Sequence, residues 1–192
     1  VTDTKNAKPR GRPRSFEIDN ALAKAQALFH ERGYDAVSLT DLTEELGINP
    51  PSFYAAFGSK AELYGRVLER YSRGEGLDFK GLLSPDRSLA EGLAALFEAA
   101  AESYTRHPGA PGCLVIEGTR GGTDPAACGK ARALWHQSRD AMHDAIARIE
   151  PERAGTITDY TMAILSGISA SASDGLDTSR LRAIGRMAAH AL

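Results

Sequence analysis

The stretch SLTDLTEELGINPPSFYAAFGSK, Ser38 to Lys60, reads as two short helices separated by a sharp turn. Ser38 is placed to cap the first and Asp41, three residues on, to return the bond, while Leu39, Leu42 and Leu46 form an apolar stripe that stops at Gly47. Glycine supplies the left-handed residue on which such a helix ends. Asn49 caps a second helix that opens on Pro50 and Pro51, tolerable there because first-turn amides have no intrahelical acceptor to lose. Two helices of about two turns each, joined by a short turn, make a helix-turn-helix whose second helix is short and exposed enough to lie in a major groove.

Phe53 and Phe57 are four apart and must share the core-facing side, which sets the phase of the second helix. At about 100° per residue, this turns Pro51, Ser52 and Ala55 outward and puts Tyr54 on the flank. The outward face is small and nearly free of charge. It allows close approach to base edges and favours thymine methyls at Ala55 and Pro51, without the bidentate arginine contact to guanine. Tyr54 suits a phosphate. Ser59 and Glu62 are spaced as a capping box for the next helix, so Lys60 sits at a helix N-terminus, where the dipole disfavours a cation and a phosphate would offset that cost. A helical pair packed inside a core is the alternative, but it would not keep a polar outer face beside a poorly placed lysine.

The segment from Phe16 to Tyr64, above all LGINPPSFYAAFGSKAEL, resembles the DNA-binding domain of the tetracycline-repressor (TetR) family of bacterial transcription regulators. The likeness covers roughly the first third of the chain and rests on the glycine turn, Tyr54, Phe57 and the run Gly58-Ser59-Lys60; the rest matches in helical layout. The resemblance implies that Thr40, Pro50, Pro51, Ser52, Tyr54 and Lys60 fall where family members touch DNA. The double proline stands where many members carry polar residues. The family's fold is all-α, with an N-terminal three-helix helix-turn-helix domain and a C-terminal helical domain for ligand binding and dimerisation. On this chain the expected divisions are a disordered basic arm over 1–15, the DNA-binding domain over 16–60, and the effector and dimer domain over 61–192.

Composition agrees with a globular chain: 192 residues, 42% hydrophobic, with no apolar run long enough to span a membrane. The N-terminus is basic but lacks the apolar stretch of a signal peptide, so a cytoplasmic protein is expected. Its two cysteines, Cys113 and Cys128, are too few for a disulfide framework or a metal finger. The formal net charge is −2, yet Lys5, Lys8, Arg10, Arg12 and Arg14 crowd the start against the single acid Asp3. Such a charge distribution gives a local basic arm rather than a global field. Pro9, Gly11 and Pro13 exclude a stable helix from this arm, and Arg12 and Arg14, nearest the folded domain, suit a narrow minor groove; a tail that gives only solubility is the alternative.

Periodicity places the first helix from Ser15 to Gly33, on a core stripe of Ile18, Ala21, Leu22, Ala25, Leu28 and Phe29. A connecting helix runs from Ala61 to Arg73 with a break at Gly74 and Gly76, and another spans about 88 to 106. GCLVIEGTRGGT is short enough for a strand, but a strand would lack a partner, so a short helix is expected; its glycines do not have phosphate-loop spacing. A long helix covers 125–150 with Leu134, Trp135, Ser138, Ala141, Met142, Ala145, Ile146 and Ile149 on one face. Two more follow, from about 152 to 173, rich in small residues, and after Asp177, with Leu181, Ile184, Met187 and Leu192. In the family this last pair joins its copy in a second subunit as a four-helix bundle.

Three constellations bear on chemistry. His136, Asp140 and His143 share a helical face, but one opposite the Trp135 and Met142 stripe, so they read as solvated and no metal is expected. Cys113 at a helix start could have a lowered thiol pKa and act as a redox or electrophile sensor, with Cys128 as resolving partner; a small buried hydrophobe is the plainer reading. Phe97, Tyr104, Cys113, Ile116 and Trp135 lie on elements that by the resemblance surround a ligand cavity. The expectation is a homodimeric regulator, a repressor released from a palindromic operator by a small apolar or electrophilic effector, with no cofactor. The competing reading is a helical thiol enzyme or carrier with an N-terminal protein-docking module, His107 being the nearest base.

Overall fold

Local sequence rules set the helices that carry the helix-turn-helix. The computed structural model describes residues 14–120 and 122–191, with side chains from Ile18 onward. Helix α1 (Arg14–Arg32) buries Leu22, Ala25, Leu28 and Phe29 and ends at Gly33, whose φ of 76° only glycine adopts freely. Helices α2 (Leu39–Leu46) and α3 (Pro50–Phe57) follow, then α4 (Lys60–Glu75), which packs along α1 through Leu63, Tyr64, Val67 and Leu68. Helix α4 runs through Gly74, contrary to the expected break, and stops at Gly76, where a side chain would strike the Ser72 carbonyl. A mid-helix glycine costs about 1 kcal/mol, too little to end a helix whose opposite face is buried.

Beyond α4, a one-turn helix α5 (Phe79–Leu82), absent from the periodicity, is capped by Asp78. Helix α6 (Leu89–Tyr104) opens on a Ser88–Glu91 capping box. GCLVIEGTRGGT contains the short helix α7 (Leu114–Gly118), as expected. Helix α8 (Pro125–Ala147) is capped by Asp124 and ends three residues before the predicted limit, because Pro151 biases Glu150 away from the helical region. After a 3-10 turn over 151–153 come α9 (Ala154–Ser173) and α10 (Thr178–Ala189). Every regular element among the described residues is helical, and none is long and apolar enough to cross a membrane.

Helices α6, α8, α9 and α10 pack together around Leu96, Phe97, Met142, Ile146, Ile157 and Leu181. The α8 stripe is narrower than its sequence suggests: Met142, Ala145 and Ile146 are buried, Leu134, Trp135 and Ser138 are half-buried, and Ala141, at the edge of the arc, is exposed. The tightest approach joins α6 to α10, where a Cβ on Gly185 would stand 2.6 Å from the Phe97 Cβ. On α10, Leu181 is buried while Ile184 and Met187 are 40% and 75% exposed, so the predicted stripe divides between core and surface. Leu192, the arm with Arg12, and the side chain of Arg14 lie outside the described residues.

Candidate nucleic-acid interface and effector cavity

The α2–α3 pair is held by its own caps. Asp41 N–H donates to Ser38 Oγ at 3.1 Å and Ser38 N–H to Asp41 Oδ2 at 2.7 Å, completing the reciprocal box. Gly47 takes φ 66°, and the Ser52 N–H donates to Asn49 Oδ1 at 2.9 Å. Phe53 and Phe57 face inward, 0% and 5% exposed, with ring centroids 5.4 Å apart. Thr40, Pro50, Pro51, Ser52 and Ala55 are therefore exposed together, joined by Ala56, which the phase argument omitted. Tyr54 is 52% exposed, its ring edge-on to Phe53 and its hydroxyl without a hydrogen-bond partner among the described residues. At the far end of α3, Arg66 donates to the Ala56 carbonyl at 3.3 Å and lies over the Phe57 ring.

Lys60 departs from the sequence picture. Only half of the predicted box forms at Ser59: Glu62 N–H donates to Ser59 Oγ at 3.1 Å, while the Glu62 carboxylate is drawn 2.9 Å from Lys130 on α8. The Lys60 ammonium is half-buried, 4.0 Å from the ring centroid of Tyr34. Burial lowers its pKa, opposed by the nearby carboxylates of Asp35, Asp124 and Asp41. Tyr34 lies outside the Ser38–Lys60 stretch and carries no motif, so sequence reasoning missed it.

A cavity of about 100 Å³ lies behind α4, lined by Tyr71 and Glu75 from that helix, Phe79, Tyr104, Cys113, Val115, Trp135, Met162 and Leu165 among others. Of the expected lining residues, Tyr104, Cys113 and Trp135 come together there. Phe97 and Ile116 are buried but do not reach it. Phe97 shares a face of α6 with Tyr104 but stands two turns, about 10 Å, along the helix from it, against Gly185, and on α7 the wall is Val115, one residue and about 100° away from Ile116. Tyr71, Met162 and Leu165 were missed because each reads as ordinary core, and Glu75 because it lies beyond the expected break at Gly74.

Cys113 caps α7 by position only: its N–H donates to Ser169 Oγ at 2.9 Å, and no side-chain cap forms. Burial pushes its thiol pKa up, as suits the small buried hydrophobe rather than the sensor, although the hydroxyls of Tyr71 and Tyr104 donate toward the sulfur. A five-residue helix has too little dipole to overcome desolvation. Cys128 opens instead onto a groove of about 520 Å³ beside Tyr34 and Tyr64, so the two thiols do not share a cavity. His107 sits 3.3 Å from Glu75 and gives Cys113 no base. His136 and Asp140 are exposed, and His143 is 3.7 Å from Asp144.

A profile described as "Bacterial regulatory proteins, tetR family" matches residues 21–67, the span of α1 to mid-α4 that builds this interface. The chain is 41% identical over 188 residues to the HTH-type transcriptional repressor BdcR of Escherichia coli strain K12, covering 98% of this chain and 95% of that protein. The chain belongs to the tetR family of bacterial regulatory proteins. A second TetR relative, the HTH-type transcriptional repressor ComR of the same strain, is 33% identical over 190 residues and covers 92% and 89%. A cysteine mutant of the TetR family regulator CifR, solved with 26 bp double-strand operator DNA, superposes with a TM-score of 0.83 at 30% identity, covering 96% of this chain and 99% of that one. As a TetR-family member the chain is a DNA-binding transcriptional regulator and not an enzyme.

Proposed function

We propose that this regulator is a cytoplasmic repressor that binds a palindromic operator as a homodimer and leaves it when a compact effector enters the cavity behind α4. The observation that carries the proposal is the capped, uncharged outward face of α3, with Thr40, Pro50, Pro51, Ser52, Tyr54 and Ala55 exposed beside Lys60, in a chain 41% identical to a protein named as a repressor. Residues 16–60 form the reading head, joined by Arg12 and Arg14 of the arm, and residues 61–192 receive the effector and the second subunit. Two-fold symmetry in the protein matches two half-sites in the DNA.

The dimer surface is drawn from α9 and α10. Ala163 and Gly167 are exposed on α9, and Ile184 and Met187 on α10, an apolar and small-residue face that a soluble monomer gains nothing by presenting. The effector is a small apolar molecule, since the cavity of about 100 Å³ is walled by Tyr104, Trp135, Met162, Leu165 and a Cys113 thiol that burial disfavours from ionising. Effector binding that favours a head spacing unlike the operator's weakens DNA binding by the same factor, typically about 1–3 kcal/mol of coupling.

The test is fluorescence anisotropy with the duplex upstream of the chain's own gene, over a salt series, beside sedimentation of the free protein. Saturable binding that falls steeply with salt and weakens roughly tenfold in Tyr54→Ala supports the reading. A dimeric, folded protein that binds neither this duplex nor one selected from a random library refutes it.

A further inference from the structure

Two turns join the reading head to the rest of the chain. The turn between α1 and α2 sets Tyr34 and Asp35 against Thr123 and Asp124, just before α8. The Tyr34 hydroxyl donates to Asp124 Oδ2 at 2.6 Å, and the Thr123 N–H donates to Asp35 Oδ2 at 2.8 Å. The other oxygen of Asp124 accepts the Ala126 and Ala127 N–H groups at 2.9 and 3.4 Å, so one carboxylate caps α8 and holds Tyr34 at once. The Tyr34 ring is stacked on Phe29 at 5.7 Å and tilted against Tyr64 at 4.8 Å. An aromatic needed only for packing would leave its hydroxyl to water and its face to carbon. Here the hydroxyl is bonded to α8's cap and the face carries the Lys60 ammonium, 4.0 Å from the centroid.

A free lysine carries about 2 kcal/mol of rotamer entropy that a phosphate contact must freeze. An ammonium resting on a ring has lost much of it already and still has N–H donors to offer, because the ring engages one side of the group. We propose that Tyr34 is a positioning residue of the DNA interface, its ring holding Lys60 ready for a backbone phosphate and Asp124 holding the ring. The proposal rests on Lys60 being a phosphate contact. Because Asp124 begins the helix that carries Trp135 into the effector cavity, the phosphate contact is set from the effector side of the molecule.

The experiment uses the full chain and a labelled duplex selected by the wild-type protein from a random library, titrated by anisotropy over a series of KCl concentrations. Lys60→Ala should weaken binding about tenfold and flatten the log–log salt slope by about 0.9 for each reading head. Tyr34→Leu should flatten the slope as Lys60→Ala does, with a loss of about three- to tenfold, and should flatten it no further when added to Lys60→Ala. Asp124→Ser, which keeps a capping oxygen for α8 but cannot reach Tyr34, should move slope and affinity the same way by less. If Tyr34→Leu is poorly folded by circular dichroism, Asp124→Ser carries the test alone. Weaker binding with an unchanged slope would mean that Tyr34 only supports the fold, and unchanged or tighter binding would mean that it sequesters the lysine; either overturns the proposal. An unchanged Lys60→Ala would instead remove Lys60 from the interface, whatever Tyr34 does.

Discussion

Helix α3 offers Ser52, Tyr54 and Ala55 to solvent from a span of eight residues, whereas the cavity draws its wall from residues between Tyr71 and Leu165 on α4 through α9. The first surface is organised by near neighbours: the Asn49 cap, the Phe53 and Phe57 pair, and the Gly47 turn. The second exists only after several helices have assembled, so it changes shape when any one of them shifts. A reader that keeps its form and a receiver that deforms are the two parts a ligand-controlled DNA binder requires.

Adjacent residues of α3 give the strongest way to break that contrast. Phe53 is fully buried, and Phe53→Ala should cost about 3–5 kcal/mol in denaturant unfolding. Tyr54→Ala, one residue on, should leave stability within about 0.5 kcal/mol while weakening duplex binding by roughly tenfold, the loss of one hydrogen bond to a charged group. Equal destabilisation by both would show that α3 is not anchored by its inner face alone. At the cavity, Leu165 is 2% exposed but borders open space, so Leu165→Ala should cost about 2 kcal/mol, the low end for such truncations. A penalty as large as that of Phe53→Ala would mean the wall is as densely packed as the reading head.

The smallest expected effect lies between the two regions, at His30. Its Nε2–H donates to the Gly112 carbonyl at 3.2 Å, next to Cys113, and burial lowers its pKa below the ordinary 6.5. The unfolded chain therefore takes up a proton near pH 6.5 that the folded chain refuses. The contribution is fully present above that pH and declines below it, toward the folded pKa. Thermal melts of His30→Gln at pH 7.5 and pH 5.5, values of roughly neutral and mildly acid buffer, should differ less than those of the wild type. An identical difference in both proteins would assign the acid sensitivity elsewhere.

The same division explains what could be read from residue order. The limits of α2 and α3, the caps at Ser38 and Asn49, and the outward set of Pro51, Ser52 and Ala55 all depend on spacings of three or four residues, and the structure has them as read. Lys60 was placed at its helix start correctly, but its partner Tyr34 could not be read, because that contact needs the α1–α2 turn folded back against α8. Phe97 and Ile116 are expected at the cavity from element identity alone, and identity says neither how far along a helix nor on which face the wall lies: Phe97 is two turns short of it and Ile116 one residue off its face. At Cys113 the plainer of the two readings, a small buried hydrophobe, agrees with the structure: position at a helix start allows a lowered thiol pKa, but desolvation dominates once the residue is enclosed.

The approach of α6 to α10 also limits how the sequence can drift. At the observed spacing the crossing has room for one Cβ between positions 97 and 185, because a second would stand 2.6 Å from the first. Shrinking Phe97 as far as alanine gives no relief, since the atom in the way is its Cβ. Substitution at Gly185 therefore requires the helices to part or residue 97 to become glycine in turn. Among relatives that keep this crossing, a residue other than glycine at 185 should appear only with glycine at 97, while exposed neighbours such as Ala183 and Met187 drift independently.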